Sequence, residues 1–394
     1  MIDFEFHIPT KVIFGKNAEQ YAGRETKAFG GTRALLHYGS DRVRNSGLMS
    51  TVRKSLDEQG ISYVELGGVV PNPRLSAVYK GIEFGMKEKI DFVLAVGGGS
   101  VIDSSKAIAI GIAHDGVDIW DINDKKIRPT KTLPVGCIVT IAAAGSETSD
   151  SMVLTKEEGW IKKGIHEPIC RPAFAIMNPE LTYTCPPYQT ASGCVDIMMH
   201  SLERYFSQDK NCDLTDRFAE AVLRTIIKYA PQALADPHDY NARAEIMWAS
   251  SMSHNDVTGA GKIHDYASHQ LEQELSGMFD VAHGAGLAAV WSSWARYVCK
   301  NDVDRFIRYA INVWDCEYDM VNPENTVLEG ISRSENFFQS LEMPIRISGL
   351  GIGELTDAQI DELSLKCTFF ETRKIGNFVR LDREDIKAIY RMAR

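Results

Sequence analysis

Asp196, His200, His269 and His283 are the residues of this sequence whose types and spacing best suit metal chemistry. Asp196 and His200 stand four apart in GCVDIMMHSLERYF, a spacing that points both side chains to one face of a helix. His269 and His283 follow in DYASHQLEQELSGMFDVAHGAG, the first read as mid-helix and the second as lying just before a Gly-rich break. One carboxylate and three imidazoles suit a divalent transition metal. They neutralise only one of its two charges, so the ion keeps the Lewis acidity that a reaction centre needs. A D-x-x-x-H pair taken alone also describes an ordinary ion pair on a helix face. His7, His37, His114, His166, His238 and His254 have no ligand-like spacing and read as surface or core residues. His264 reads as a helix-start residue, and Cys194, two residues before Asp196, as packing.

A second candidate site lies upstream. LAVGGGSVIDSSKAIA sets Gly97, Gly98, Gly99 and Ser100 between an apolar strand and a helix. Glycines let backbone N–H groups approach an anion, and a helix N-terminus adds partial positive charge, so phosphate or pyrophosphate is the natural ligand. A plain strand–helix turn has the same composition. Asp103, one turn into that helix, suits a ligand amide or ribose, or complements the helix dipole. Thr140 and Ser146 in TIAAAGSE suit cofactor contacts, or are ordinary members of a small-residue loop. Lys162 reads locally as a surface lysine.

The elements that must position these residues fall into two textures. The first half alternates short β-rich runs with helical patterns: Phe4, Phe6 and Ile8 alternate, then Val12–Phe14, Ala34–Leu36, Phe92–Val96, Cys137–Ile141 and Ala173–Met177 follow. That order predicts a mostly parallel sheet covered by helices. From about Thr190 the spacing is helical over 214–230, 241–258, 264–278 and 287–299, with breaks expected at Pro231, Pro237, Gly259 and Gly284. The reading is an α/β domain over 1–187 and an all-helical domain over 188–394, joined near Cys185-Pro186-Pro187.

At 394 residues the chain is long enough for two cores, and its 44% hydrophobic and 24% charged residues are ordinary for a globular protein. A net charge of -10 argues against a nucleic-acid or anionic-membrane partner. Eight cysteines without a C-x-x-C pair read as free thiols in a reducing compartment. With no signal-peptide pattern and no run of about 18 apolar residues, the expectation is a cytoplasmic protein. Trp120 and Trp291 read as core or domain-interface aromatics.

Taken together, FHIPTKVIFGKN, VVPNP (69–73), AVGGGSVIDSSKAIA, TIAAAGSET, AFAIMNPELTYTCPP and DYASHQLEQELS…AHGAGLA resemble segments of the iron-containing (metal-dependent) alcohol dehydrogenase family. The resembling branch is that of butanol dehydrogenases and broad-specificity aldehyde reductases. The resemblance implies an N-terminal Rossmann-like dinucleotide-binding domain and a C-terminal helical metal domain, the dehydroquinate synthase-like fold, with the active site in the cleft between. It implies that Gly98, Gly99 and Ser100 hold the pyrophosphate, with Gly97 a further cofactor-binding candidate. Asp103 and Thr140 would stand beside the nicotinamide half, with Ser146 and Lys162 on the cofactor side. Asp196, His200, His269 and His283 would carry Fe²⁺ or Zn²⁺, and a homodimer paired partly through the N-terminal strand is expected. The turn Gly39-Ser40-Asp41-Arg42 would meet the adenosine ribose: Asp41 would repel a 2′-phosphate and Arg42 would attract it. The branch resemblance tips the choice between NAD and NADP slightly to NADP. One position departs from the pattern. Many family members carry a proton-relay histidine one turn after the third ligand, and here Gln273 stands there. Glutamine hydrogen-bonds but does not exchange a proton at neutral pH, so a water chain, a ribose hydroxyl or His264 would have to substitute.

The function expected is hydride transfer between a nicotinamide and a small primary alcohol or aldehyde of the butanol type. The competing readings are a dehydroquinate-synthase-like lyase, which would need a basic cluster absent from the acidic and apolar 190–290 stretch, and a cofactor- and metal-binding protein with weak turnover.

Overall fold

The computed structural model describes residues 1–394, apart from the side chain of Arg42. The chain divides into two compact units, residues 7–185 and residues 186–394 together with the first six residues.

The first unit is built on a six-stranded parallel sheet in the order β1-β8-β5-β4-β2-β3. The strands are β1 (Lys11–Phe14), β2 (Arg33–Tyr38), β3 (Ser62–Leu66), β4 (Phe92–Gly97), β5 (Val135–Val139) and β8 (Phe174–Met177), and a separate antiparallel hairpin pairs β6 (Ser151–Lys156) with β7 (Ile161–His166). Between them run α1 (Ala22–Ala28), α2 (Asp41–Arg44), α3 (Gly47–Glu58), α4 (Leu75–Lys87), α5 (Gly99–Ala113) and α6 (Ile119–Asn123). Strand periodicity splits the core in two. Ala34, Leu36, Phe92, Leu94 and Val96 point to one face, with Met49, Val52 and Leu56 of α3. Leu35, Val93 and Ala95 point to the other, with Val78 of α4 and Ile102, Ile108 and Ile110 of α5. Central strands buried on both faces read as continuous apolar runs, which is why FVLAVG shows no alternation. The Phe4–Phe6–Ile8 alternation forms no strand. Residues 1–10 lack sheet pairing, and β1 begins only after Pro9. Trp120 lies in the core beside α5.

The second unit is helical: α7 (Pro187–Tyr205), α8 (Asp213–Ala235), α9 (Tyr240–His254), α10 (Ala267–Phe279), α11 (His283–Val298), α12 (Val303–Trp314), α13 (Pro323–Ser340), α14 (Asp357–Cys367) and α15 (Arg383–Ala393). Its middle is aromatic: Phe206 stacks on Phe306 at 4.4 Å and meets Trp294 edge-on at 5.5 Å. Trp291 is buried in the same unit. The expected break at Pro231 does not occur. Pro231 lies on the exposed side of α8, and the helix runs on to Ala235 before Asp236 N–H closes it on the Gln232 carbonyl at 2.9 Å. Gly284 likewise sits inside the first turn of α11. Asp216 of α8 pairs with Arg305 of α12 at 2.6 Å and with buried Lys262, tying the two helices to the 255–266 loop. The N-terminal segment belongs with this unit, through Met1 N to Lys210 O and Ile2 N to Gly261 O, both 3.0 Å. No helix of the described residues is long and apolar enough to cross a membrane.

Candidate metal centre and cofactor loops

The helical unit gathers the four expected ligands onto one oxygen. From Asp196 Oδ1, His200 Nδ1 lies 3.2 Å away, His269 Nε2 3.7 Å and His283 Nε2 3.7 Å. Asp196 and His200 come from adjacent turns of α7, as their spacing predicts. His269 is in the first turn of α10 rather than mid-helix, because α10 starts only at Ala267, after Tyr266 in the left-handed region (φ 59°). His283 is the first residue of α11, so the expected break ends at it instead of following it. Gly284 explains how α11 reaches α7: a Cβ there would stand 1.9 Å from the Ser192 carbonyl oxygen. Only a glycine permits that approach.

Asp196, His200 and His269 are buried, and their Oδ1, Nδ1 and Nε2 atoms make no hydrogen bond. Three buried polar atoms aimed at one another are unfavourable unless a shared partner satisfies them. Ligand-to-metal distances of about 2.0–2.2 Å in a tetrahedron put donor atoms about 3.4 Å apart, close to the spacings found. The donor set therefore fits a divalent ion.

Two residues that the sequence reading missed complete the centre. Glu203 accepts from the His269 ring Nδ1 at 3.0 Å and from its backbone N–H at 2.8 Å. Glu272 takes His283 Nδ1 and also accepts from the Ser276 hydroxyl. Both carboxylates are buried, at 3% and 0% exposure. Such partners fix the ring plane and the tautomer of a ligand histidine, leaving Nε2 as the electron-pair donor. A signal for them exists: H-x-x-E occurs as His200-Ser-Leu-Glu203 and again as His269-Gln-Leu-Glu272. The pairing is crossed. The glutamate on α7 serves the histidine on α10, and the glutamate on α10 serves the one on α11. Burial lowers His200 well below the usual histidine range. Burial pulls His269 down too, but the neighbouring carboxylates of Asp196 and Glu203 outweigh it and raise it to about 9.

A third missed residue is His254, whose ring lies on His200 with centroids 3.9 Å apart. Gln273 is half-buried on α10, one turn beyond His269. His264 turns its Nε2 to the Gly259 carbonyl at 3.1 Å, within its own loop. Cys194 is buried on α7.

The sheet unit gathers the loop residues. Gly97 ends β4, Gly98 caps α5 and Gly99 starts it, with Ser100 next. The 140s loop lies alongside, with Thr140 N–H on the Gly97 carbonyl at 3.1 Å. A Cβ at Gly98 would stand 3.3 Å from Ile141 and one at Gly99 3.1 Å from Ala144. Asp103 Oδ1 accepts from the Ser146 hydroxyl at 2.5 Å and Oδ2 from Val153 N–H at 3.0 Å. Beneath them Lys106, 1% exposed, donates to Ser146 Oγ at 2.9 Å and to the carbonyls of Ser149 and Ser151 at 3.2 and 2.7 Å. Lys106 was not singled out in the sequence, although it stands three residues after Asp103 on the same helix face. Burial raises the Asp103 carboxyl, against the pull of Lys106, Ser146 and Lys162. Lys162 is therefore no surface lysine: on β7 it is buried, opposite Thr155. Strands β2 and β4 are neighbours, with Tyr38 opposite Val96, so Gly39, Ser40 and Asp41 follow β2 beside the glycine loop. Asp41 is exposed in the first turn of α2, and the side chain of Arg42 lies outside the described residues.

Comparison with known proteins gives one answer over both units. Residues 9–179 match the model of iron-containing alcohol dehydrogenases, and residues 190–394 match that of the C-terminal part of the Fe-containing alcohol dehydrogenase family. The chain is 38% identical over 392 residues to NADH-dependent butanol dehydrogenase A of Clostridium acetobutylicum, covering 99% of each. It is 34% identical over 360 residues to NADPH-dependent aldehyde reductase YqhD of Escherichia coli, covering 89% of this chain and 90% of that one. The crystal structure of NADH-dependent butanol dehydrogenase A from Thermotoga maritima superposes with a TM-score of 0.94 at 34% identity, over 100% of this chain and 99% of that one.

Proposed function

We propose, from the premise that this chain belongs to the iron-containing alcohol dehydrogenase family, that it exchanges hydride between a nicotinamide cofactor and a small primary alcohol or aldehyde of the butanol type. It is an NAD(P)-linked, metal-dependent oxidoreductase. The observation that carries the reading is the convergence of one carboxylate and three imidazoles on Asp196 Oδ1.

In this reading Asp196, His200, His269 and His283 hold Fe²⁺ or Zn²⁺, which supplies Lewis acidity toward a hydroxyl or carbonyl oxygen. With no thiolate among the ligands, the set carries no strong preference between the two ions. Glu203 and Glu272 keep two of the rings in the orientation that presents Nε2. In the sheet unit, the backbone N–H groups of Gly97, Gly98, Gly99 and Ser100 at the start of α5 receive the pyrophosphate. Asp103 and Thr140 flank the nicotinamide half, with Ser146 and Lys162 holding Asp103 from the cofactor side. The overall reaction, alcohol and NAD(P)⁺ to aldehyde, NAD(P)H and one proton, needs an exit for that proton. Gln273 cannot take it, and we assign it to water or a ribose hydroxyl rather than to His264.

For the cofactor we propose NADH over NADPH, against the slight lean of the sequence. The support is charge at the end of β2. Asp41 is exposed there, and two nearby guanidinium groups are already engaged: Arg53 binds Glu65 with two contacts of 2.7 and 3.1 Å, and Arg44 reaches the same carboxylate at 3.5 Å. Among the described side chains, an additional 2′-phosphate would meet Asp41 and Glu65 before a free cation. We further propose a homodimer, supported by the open edge of β1 and by exposed Phe4, Phe6 and Phe14. A reducing compartment such as the cytoplasm agrees with the free thiols of Cys137, Cys170, Cys212, Cys299, Cys316 and Cys367.

The test is steady-state oxidation of NADH and NADPH with butyraldehyde, on protein stripped of metal and reloaded separately with Fe²⁺ and Zn²⁺. The expected outcome is metal-dependent turnover with NADH the better donor. Cofactor binding without turnover under any metal would favour the weak-turnover reading instead.

A further inference from the structure

His200 differs from its two partner histidines. His269 has Glu203 on its second nitrogen and His283 has Glu272. Among the described residues the only carboxylate paired with the His200 ring is Asp196, itself one of the four, and that contact is made by Nδ1, the nitrogen turned to the centre. A ligand histidine without an outer partner is free to rotate about its last side-chain bond, and that freedom weakens metal binding. What His200 has instead is aromatic surface. His254, 5% exposed at the end of α9, lies on its face with centroids 3.9 Å apart and planes inclined by 25°. The His269 ring closes the arrangement at 4.6 Å, inclined by 42°. The His200 ring thus meets two rings on separate helices, stacked on that of α9 and tilted against that of α10.

We infer that His254 is a positioning residue of the metal centre, orienting His200 by ring stacking where the other two histidines are oriented by carboxylates. The role belongs to the flat face of the ring and not to its nitrogens. A ring at this distance also keeps water away from the ligand, which strengthens the electrostatics of the site. The inference rests on the proposal that the four residues hold a metal, and the experiment separates the two.

Zn²⁺ affinity is measured by competition with a chromophoric chelator, and the Co²⁺-loaded protein is examined by visible absorption. Wild type, His254→Phe and His254→Ala are compared. The expected result is that phenylalanine, which keeps the stacked face and removes both nitrogens, retains the wild-type affinity and Co²⁺ spectrum. Alanine weakens Zn²⁺ binding by about tenfold or more, within the range for losing an outer-shell partner, and alters the Co²⁺ bands. If the alanine chain does not fold, His254→Leu takes its place, filling the volume without a flat ring, with the same loss expected. The inference is overturned if alanine or leucine binds Zn²⁺ as tightly as wild type, or if phenylalanine loses as much as alanine. A wild-type protein that binds no Zn²⁺ or Co²⁺ would instead overturn the metal reading beneath it.

Discussion

Glu203 and Glu272 define the residue scale, since each fixes a histidine borne by a different helix. Substituting glutamine keeps the shape and removes the charge that holds the ring N–H. Glu203→Gln and Glu272→Gln are each expected to weaken metal affinity by about 10- to 100-fold with the helical content unchanged. Metal competition and circular dichroism together check this, and wild-type affinity in both variants would contradict it. Gln273 makes the opposite prediction. Restoring a titratable ring by Gln273→His is expected to raise turnover and to introduce a new ionisation near neutrality into the pH–rate profile. An unchanged rate and profile would mean that the proton leaves by another route. The four proposed ligands were suggested in sequence by residue type, by the helical spacing of Asp196 and His200, and by the family resemblance of the segments that carry them. Their glutamate partners and His254 were not. The repeated H-x-x-E spacing marks both glutamates but does not tell a buried carboxylate from a surface one, and His254 reaches the site from a helix whose packing no local pattern reveals.

At the scale of elements, the close approach of α11 to α7 sets where His283 points. A methyl group at Gly284 would stand 1.9 Å from the Ser192 carbonyl oxygen, so α11 must move away from α7 to accept it. Gly284→Ala is expected to destabilise the protein by about 1–3 kcal/mol and to lower bound metal, read by urea unfolding and metal analysis. A second element-scale prediction concerns β2. His37 is buried there, bonded to the Leu66 carbonyl at 2.8 Å and to Ser104 Oγ at 2.9 Å, and burial pushes its pKa down to about 4. The unfolded chain takes up that proton near its ordinary value of about 6.5, whereas the folded chain resists until about 4. The stability is whole above about pH 6.5 and is lost as the pH falls toward 4, by up to about 3 kcal/mol. The urea midpoint of wild type should therefore fall more steeply between pH 7 and 5 than that of His37→Asn; parallel slopes would contradict the assignment. Most elements were legible because strand runs and helical periods are local signals. The exceptions have physical causes. Pro231 is tolerated on an exposed helix side, the Phe4–Phe6–Ile8 alternation has no neighbouring strand to pair with, and Gly284 lies in the first turn of a helix where its composition suggested a stop.

On the scale of the whole molecule, the chain divides its chemistry: loops after parallel strands in one unit suit a dinucleotide, and helix faces in the other suit a metal. The glycine loop of the sheet unit, which follows an apolar strand and opens a helix, was readable as a phosphate or pyrophosphate candidate, and the dinucleotide came from the family resemblance. The choice between NAD and NADP was not readable, because the proposal for it rests on Glu65 engaging Arg53 and Arg44 from a neighbouring strand, a pairing that appears only on folding. The claim on which the account stands is that one metal ion per chain, held by Asp196 and three histidines, makes the enzyme active. It is tested most directly by titrating metal-stripped protein with Fe²⁺ under anaerobic conditions while following NADH oxidation with butyraldehyde, for wild type and Asp196→Ala. The account predicts no turnover without metal, a linear rise in wild type that breaks at one equivalent per chain, and no rise in the variant. Full turnover in the stripped protein, or an equal response in Asp196→Ala, would contradict it.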